Sequence, residues 1–314
     1  MDLKRRKWII VFGCISLMAG FWCLWIHFGY SFTYHGGVNQ NGKVGQETEE
    51  KNSKKSTEKD SGKKVAKKKP RTIVRDTDYS TIDNTLYSWW FKRNEEHKQS
   101  GCQEDFDIKE YRAYYVAPNN EKMIYLTFDC GYENGYTEDI LDTLKKEKVT
   151  AAFFVTQTFI RDNIDIVKRM KEEGHLVCNH SVTHPSMPSK SIEDQKQELL
   201  VCESYMKEAT GYEMDLFFRP PRGEYSKRTL QMAKDLGYTT IFWSIAYLDY
   251  DVNNQPSKEY VVEHFNKYCH PGAIPLIHNV SKANHDAMPD IIKNLKAEGY
   301  SFGSLYDLEG EPQS

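Results

Sequence analysis

The chain has no Cys-x-x-Cys pair and no dense cysteine framework, although it carries seven cysteines in 314 residues. That excludes a small scaffold stapled by disulfides, and a chain of this length does not need staples. It also has little excess charge of either sign. A formal net charge of -3 argues against a whole-chain nucleic-acid binder. No small-x-small cleavage site follows its one long apolar run, and no cysteine there has a lipidation setting. Neither a cleaved secretory leader nor a lipoprotein is therefore expected.

Lys4, Arg5, Arg6 and Lys7 precede an apolar run from Trp8 to Phe28, which matches the roughly 20 residues needed to cross a bilayer. Residues 1–28 are expected to form a basic flank and an uncleaved signal-anchor helix. The flank stays in the cytoplasm and the remaining chain lies outside. Residues 29–75 are mostly Lys, Glu, Ser, Gly and Asn. They have too little to bury to offset their ordering entropy, and read as a solvated, disordered tether. Its lysines are available to anionic wall polymers or lipid headgroups. Residues 76–118, with the Trp89–Trp90 pair, read as an aromatic, partly helical lead-in. Cys14 and Cys23 fall in the apolar run, leaving five cysteines outside. An odd number points to mostly free thiols and to a reducing or anaerobic habitat; two disulfides with one thiol left over are the alternative.

From residue 119 to about 310 the pattern changes. "KMIYLTF", "TAAFFVT", "HLVCNH", "LFFRPP", "TTIFWSI", "AIPLIHN" and "YSFGSL" read as strands. Helical patterns separate them, among them "YTEDILDTLKKEKV" with Thr137 as N-cap and "SIEDQKQELLVCESYMKEATG" with Ser191 as cap and Gly211 as stop. Regular strand–helix alternation predicts an α/β fold with a parallel sheet, open or closed as a barrel of about seven strands.

In such folds the ligand site lies at the carboxyl ends of the strands. The sequence places Asp129–Cys130, Asn179–His180, Arg219, Asp249 and His278 at or just beyond five of those ends. Singly each has a bland reading: a helix cap, a structural histidine, a loop anchor. Together on one rim they do not. "HSVTH" puts His180 and His184 one turn apart if the segment is helical, so both can reach one metal. No Glu follows His180, so the HExxH metalloprotease reading fails. Of Asp129 and Cys130, one would hold or face the metal while the other handles a proton, with Asp129 the natural base for a metal-activated water. His278 would protonate a leaving amine. Arg219 and Asp249 would form a charge pair that positions Asp129.

"TFDCG", "HSVTH", "RPPRG", "AYLDY" and "LIH" occur in this order and resemble the five motifs of the NodB-homology polysaccharide deacetylases, carbohydrate esterase family four. The resemblance covers about residues 122–308. "TFDCGYENGYTEDIL", "RPPRGEYS" and "FWSIAYLDYDVNNQP" are similar to the delta-lactam-biosynthetic de-N-acetylases, which act on N-acetylmuramic acid of spore cortex peptidoglycan. The resemblance implies a distorted (β/α) barrel, a divalent metal and hydrolysis of an N-acetyl group. It assigns Asp129 as base, His180 and His184 as metal ligands, His278 as acid, and Arg219 and Asp249 as the base-orienting pair. Leu276 becomes a wall for the acetyl methyl, and the backbone N–H of Arg222 an oxyanion donor. Two positions depart from the general pattern. Cys130 stands where a ligating aspartate is usual, and as a thiolate it would favour zinc; Tyr250 stands in place of a tryptophan. The expected partner is a peptidoglycan strand. Its muramic residues would already be freed of peptide by an amidase, so that the Arg222 side chain can grip the lactyl carboxylate. The expected location is membrane-anchored and extracytoplasmic, in the cell wall or forespore intermembrane space. An N-acetylglucosamine or chitin-type deacetylase and a catalytically weak glycan-binding module are the alternatives.

Overall fold

The computed structural model describes residues 77–102 and 106–309; the anchor and tether expected over residues 1–75 lie outside them. No helix among the described residues is long and apolar enough to cross a membrane. Seven strands form one sheet: β1 (Ala113–Tyr114), β2 (Thr127–Cys130), β3 (Ala152–Val155), β4 (Leu176–Asn179), β5 (Asp215–Phe218), β6 (Thr239–Ile241) and β7 (Leu276–His278). Their spatial order is β7-β2-β3-β4-β5-β6-β1, and every neighbouring pair is parallel. Beyond the strands, bridges Val116–Ala273 and Ile245–Pro275 join the β1 and β6 side of the sheet to the segment entering β7. The expected parallel α/β sheet of seven strands is present, with that partial closure.

Its membership differs at both ends. "KMIYLTF" breaks in two, so that Met123–Ile124 pairs with Ser301–Phe302 outside the main sheet. The seventh strand comes from the lead-in, where Ala113–Tyr114 pairs with Thr240–Ile241. The lead-in carries two short 3-10 turns rather than longer helix, and its Tyr87–Ser88 pairs antiparallel with Glu224–Tyr225. Trp89 stacks on Phe242 with ring centroids 4.3 Å apart.

Side chains of β2 alternate, as a strand requires. Phe128 and Cys130 join the apolar cluster under the helices, with Ile140, Leu144 and Ile291. Thr127 and Asp129 face the other way, onto Arg219. The interior below the site is filled by Ala152, Phe154, Cys178 and Phe217.

Seven helices cover the sheet: α1 (Thr137–Glu147), α2 (Gln157–Asp162), α3 (Ile164–Glu172), α4 (Ile192–Thr210), α5 (Lys227–Asp235), α6 (Lys258–Tyr268) and α7 (Lys282–Ala297). Ser191 caps α4 and Gly211 ends it at φ 81°, as the sequence pattern predicts. Thr137 is not the cap of α1. Glu133 performs that role, its Oε1 accepting from the N–H groups of Gly135, Tyr136 and Thr137. Helix α7 starts at Lys282, earlier than its apolar pattern suggests, and keeps Pro289 inside. Its Ser281 cap lies only three residues after His278, so the helix anchors the strand end that carries His278.

Candidate active site

The candidate base, Asp129, is built around a fully buried arginine. Arg219, just after β5, is 0% exposed. Its Nη1 donates to Asp129 Oδ1 (2.7 Å), Nη2 to Thr127 Oγ1 (2.8 Å) and Nε to the Ile241 carbonyl (3.0 Å). The guanidinium also lies over the Phe154 ring, 4.2 Å from its centroid. A charge at such depth needs a partner, and Asp129 is that partner. Burial alone would raise the Asp129 carboxyl. Arg219, His180 and His278 outweigh it and hold the carboxyl below its usual value, so it is ionised.

His180 follows β4. Its Nδ1 lies 2.9 Å from the Arg219 carbonyl oxygen. A carbonyl only accepts, so Nδ1 carries the proton and Nε2 keeps its lone pair. Nε2 stands 3.5 Å from Asp129 Oδ2. The His184 ring sits 4.9 Å from that of His180, centroid to centroid. The two are brought together by a turn and not by the expected helix: Ser181 and His184 have φ of 72° and 55°. Glu198 of α4 holds the turn, Oε2 accepting from the N–H groups of Val182 and Thr183 and Oε1 from the Thr183 hydroxyl. Burial, only partly countered by Asp129, pushes His180 down to about 4 and lowers His184 as well. Both are therefore neutral near pH 7, the state a metal ligand needs.

The candidate acid, His278, stands on the neighbouring strand, where it and Asp129 are register partners across β7 and β2. Asp249 is 1% exposed. Its Oδ1 accepts from His278 Nδ1 (2.7 Å), and its Oδ2 from the His278 N–H (2.8 Å) and from Asn284 Nδ2 (2.7 Å). Asn284 is itself held by the Tyr247 hydroxyl at 2.7 Å. The expected Arg219–Asp249 pair does not form. Arg219 is spent on Asp129, and Asp249 orients His278. Burial would lower His278, but Asp249 and then Asp129 outweigh it and raise the imidazole above its ordinary value.

Asp129, His180, His184 and His278 line a cavity of about 780 Å³. Leu276 and Tyr250 are in its wall as expected, the Tyr250 ring 5.8 Å from that of His278. Arg222 lies on the facing Pro221–Gly223 turn at φ 61°. It is exposed and has no ion pair among the described residues. Gly223 has no room for a side chain, because a Cβ there would stand 2.8 Å from Trp243. The lead-in fixes this turn: Trp89 N–H donates to the Gly223 carbonyl and its indole to the Trp243 carbonyl.

Cys130 does not join the site. Strand alternation sends it into the apolar cluster, 0% exposed, where burial drives its thiol far up. Among the described residues no three His, Cys, Asp or Glu side chains form a metal cage. The donor set is two neutral imidazoles bordered by the Asp129 carboxylate, which suits a divalent ion with positions left for solvent and substrate. Cys130, Cys178, Cys202 and Cys269 are free thiols. Sequence reasoning missed Thr127, Glu198, Trp243, Asn284 and Tyr247. Glu198 and Asn284 sit inside helices and carry no motif; Trp243 stands in "FWSI", where an aromatic reads as strand core.

A polysaccharide deacetylase family model matches residues 117–241. The peptidoglycan-N-acetylmuramic acid deacetylase PdaA of Bacillus subtilis is 44% identical over 234 residues, 74% of this chain and 89% of that protein. The solved structure of Bacillus subtilis PdaA, a family 4 carbohydrate esterase, matches with a TM-score of 0.71 over 73% of this chain and 99% of that one. A peptidoglycan-N-acetylglucosamine deacetylase of Bacillus cereus is 34% identical over 201 residues, 62% of this chain and 91% of that protein. With identity of this extent along nearly the whole of a relative, and with the fold shared, the chain belongs to the polysaccharide deacetylases, the family 4 carbohydrate esterases, and is a hydrolase.

Proposed function

We propose that this chain removes the N-acetyl group of N-acetylmuramic acid residues in peptidoglycan. The observation that carries the reaction is the pair of opposed dyads: ionised Asp129 on Arg219 and, one strand away, His278 on Asp249. Asp129 takes a proton from a water as that water attacks the acetamide carbonyl carbon. The backbone N–H of Arg222, a residue of the cavity wall, would donate to the oxygen that becomes negative. His278 Nδ1 is tied to Asp249, so Nε2 gives its proton to the departing nitrogen. The C–N bond breaks, releasing acetate and a free amine. A divalent metal, zinc by preference for two imidazoles, would be held by His180 and His184 and would acidify the attacking water.

Muramic acid is favoured over N-acetylglucosamine by two supports. The 44%-identical relative is named for that substrate. The exposed, unpaired guanidinium of Arg222 at the cavity wall also suits a lactyl carboxylate. A free lactyl group suits it better than an amide, so the substrate is a peptide-free muramic residue left by an amidase. The amine produced then closes on that carboxyl to the delta-lactam of spore cortex. An extracytoplasmic, membrane-anchored location follows from the basic-then-apolar N-terminus. Mass spectrometry of peptidoglycan digests with and without the protein tests the reading. Loss of one acetyl group per muramic residue, together with one water wherever the amine has closed to the lactam, is the expected result; loss only from glucosamine residues would replace it with the N-acetylglucosamine reading.

A further inference from the structure

Beside the catalytic cavity lies a second, more open one of about 510 Å³, and Ala246 and Tyr247 form part of both walls. Its other sides come from distant parts of the chain: Phe91 and Arg93 from the lead-in, Leu248 from the stretch after β6, and Tyr260 from α6. Large apolar side chains stand here beside polar ones, Asn254 and Gln255 among them. Leu248 is 66% exposed and Tyr260 49%. Arg93 has no ion pair among the described residues. Its guanidinium lies 5.8 Å from the Phe91 ring centroid and 5.2 Å from that of Tyr268.

A sugar ring presents faces of C–H groups edged by hydroxyls. The surface that suits it is an aromatic or aliphatic platform with a few polar groups around it. A polymer whose one residue reacts in the catalytic cavity must also leave that cavity, and the shared Ala246–Tyr247 wall is continuous with such a platform. We propose that the second cavity is a subsite for a further sugar residue of the same glycan strand. Phe91, Leu248 and Tyr260 carry its apolar face, and Arg93 takes a carboxylate borne by that strand. With no ion pair among the described residues and two rings beside it, Arg93 has its charge available to a ligand. The subsite rests on glycan deacetylation at the main cavity, and it makes the lead-in part of substrate binding as well as a brace for the Arg222 turn.

The test is kcat/KM on purified muramic-containing glycan fragments of increasing length, for wild type, Tyr260→Ala and Arg93→Gln. Both side chains are exposed, so neither change empties the core. Wild type should gain with length. Each variant should stay within about twofold of wild type on the shortest fragment turned over and fall about tenfold on longer ones, the loss of one cation or ring contact. Equal losses at every length, or none at any, overturn the subsite. If wild type releases acetate from no fragment, the deacetylation reading fails instead. Calorimetric titration of the same fragments then decides the subsite: length-dependent affinity that both variants abolish sustains it, and its absence removes it.

Discussion

The carboxylate of Asp249 belongs to His278, 2.7 Å from its Nδ1, and Arg219 belongs to Asp129, 2.7 Å from its Oδ1. The site is thus two dyads with opposite electrostatic purposes. The buried cation lowers one carboxyl and favours its ionised form, that of a base, while the buried anion raises one imidazole and favours its protonated form, that of an acid. Environments that drive two titrating groups apart are how one site supplies both a base and an acid at one pH.

Asp129→Asn keeps the shape of the base and removes its function. It should lower kcat/KM for acetate release by roughly 10²–10⁴ while leaving the fold intact by circular dichroism. The buried Arg219 then loses the carboxylate it is paired with, so thermal stability should fall as well. Activity within tenfold of wild type would reassign the base.

Asp249→Asn tests the second dyad through pH. His278 is raised above its ordinary value chiefly by Asp249 against burial, and it must be protonated to act. Activity should therefore decline on the alkaline side only as pH rises through that raised value. Without the carboxylate, burial dominates, the imidazole value drops, and the alkaline limb should move to lower pH. Asn284→Ala, which removes the amide bonded to Asp249 Oδ2, should move it less, and in the same direction or not at all. An unmoved limb in Asp249→Asn would remove Asp249 from this role.

The strand rhythm was legible because parallel strands buried on both faces read as apolar runs, and each motif marks a strand end. Which ends are neighbours was not legible. Chain order places Arg219 and Asp249 next to one another, but the sheet order puts β7 beside β2, and this sets His278 opposite Asp129. The strand at Ala113–Tyr114 was hidden because two residues carry no periodicity. The position of Cys130 was readable in principle: a period of two places it on the face of Phe128, a core residue. Similarity to a motif with an aspartate there pointed the other way.

Cys130→Ala follows from that placement. With the thiol under the helices and outside the site, metal affinity measured by calorimetry should stay within a few fold of wild type. Stability should drop by about 1 kcal/mol for a small buried side chain. A large loss of metal affinity with unchanged stability would put the sulfur back among the ligands.

His175 and His264 predict how stability responds to acid, away from the chemistry. Burial pushes each down to about 4. Unfolded, each titrates near 6.5. Between those values the unfolded chain binds more protons than the folded one, so stability falls as pH drops from about 6.5 to about 4 and levels off below. His175→Asn keeps an acceptor for the Ala151 N–H, which now bonds His175 Nδ1 at 3.2 Å, but does not titrate. Its melting temperature should vary less steeply over that window than that of wild type. An unchanged slope would show that His175 is not a contributor.

Arg222→Met tests how the two sugars are told apart. N-acetylmuramic acid differs from N-acetylglucosamine by its lactyl ether, whose carboxyl must lie a few ångströms from the reacting acetamide. Arg219 is committed to Asp129 and three other acceptors. Arg222 stands on the same cavity wall with no such commitment among the described residues. Its charge is close enough to the chemistry to help lower His184. Truncating one partner of a charged hydrogen-bonded pair costs about 2–5 kcal/mol, so Arg222→Met should lose most activity on peptide-free muramic glycan. Its backbone N–H remains, which leaves the oxyanion donor in place. On N-acetylglucosamine oligomers, if wild type turns them over, the same change should cost far less. Equal losses on both substrates would mean that the side chain only shapes the turn, and that the lactyl group is recognised elsewhere in the cavity.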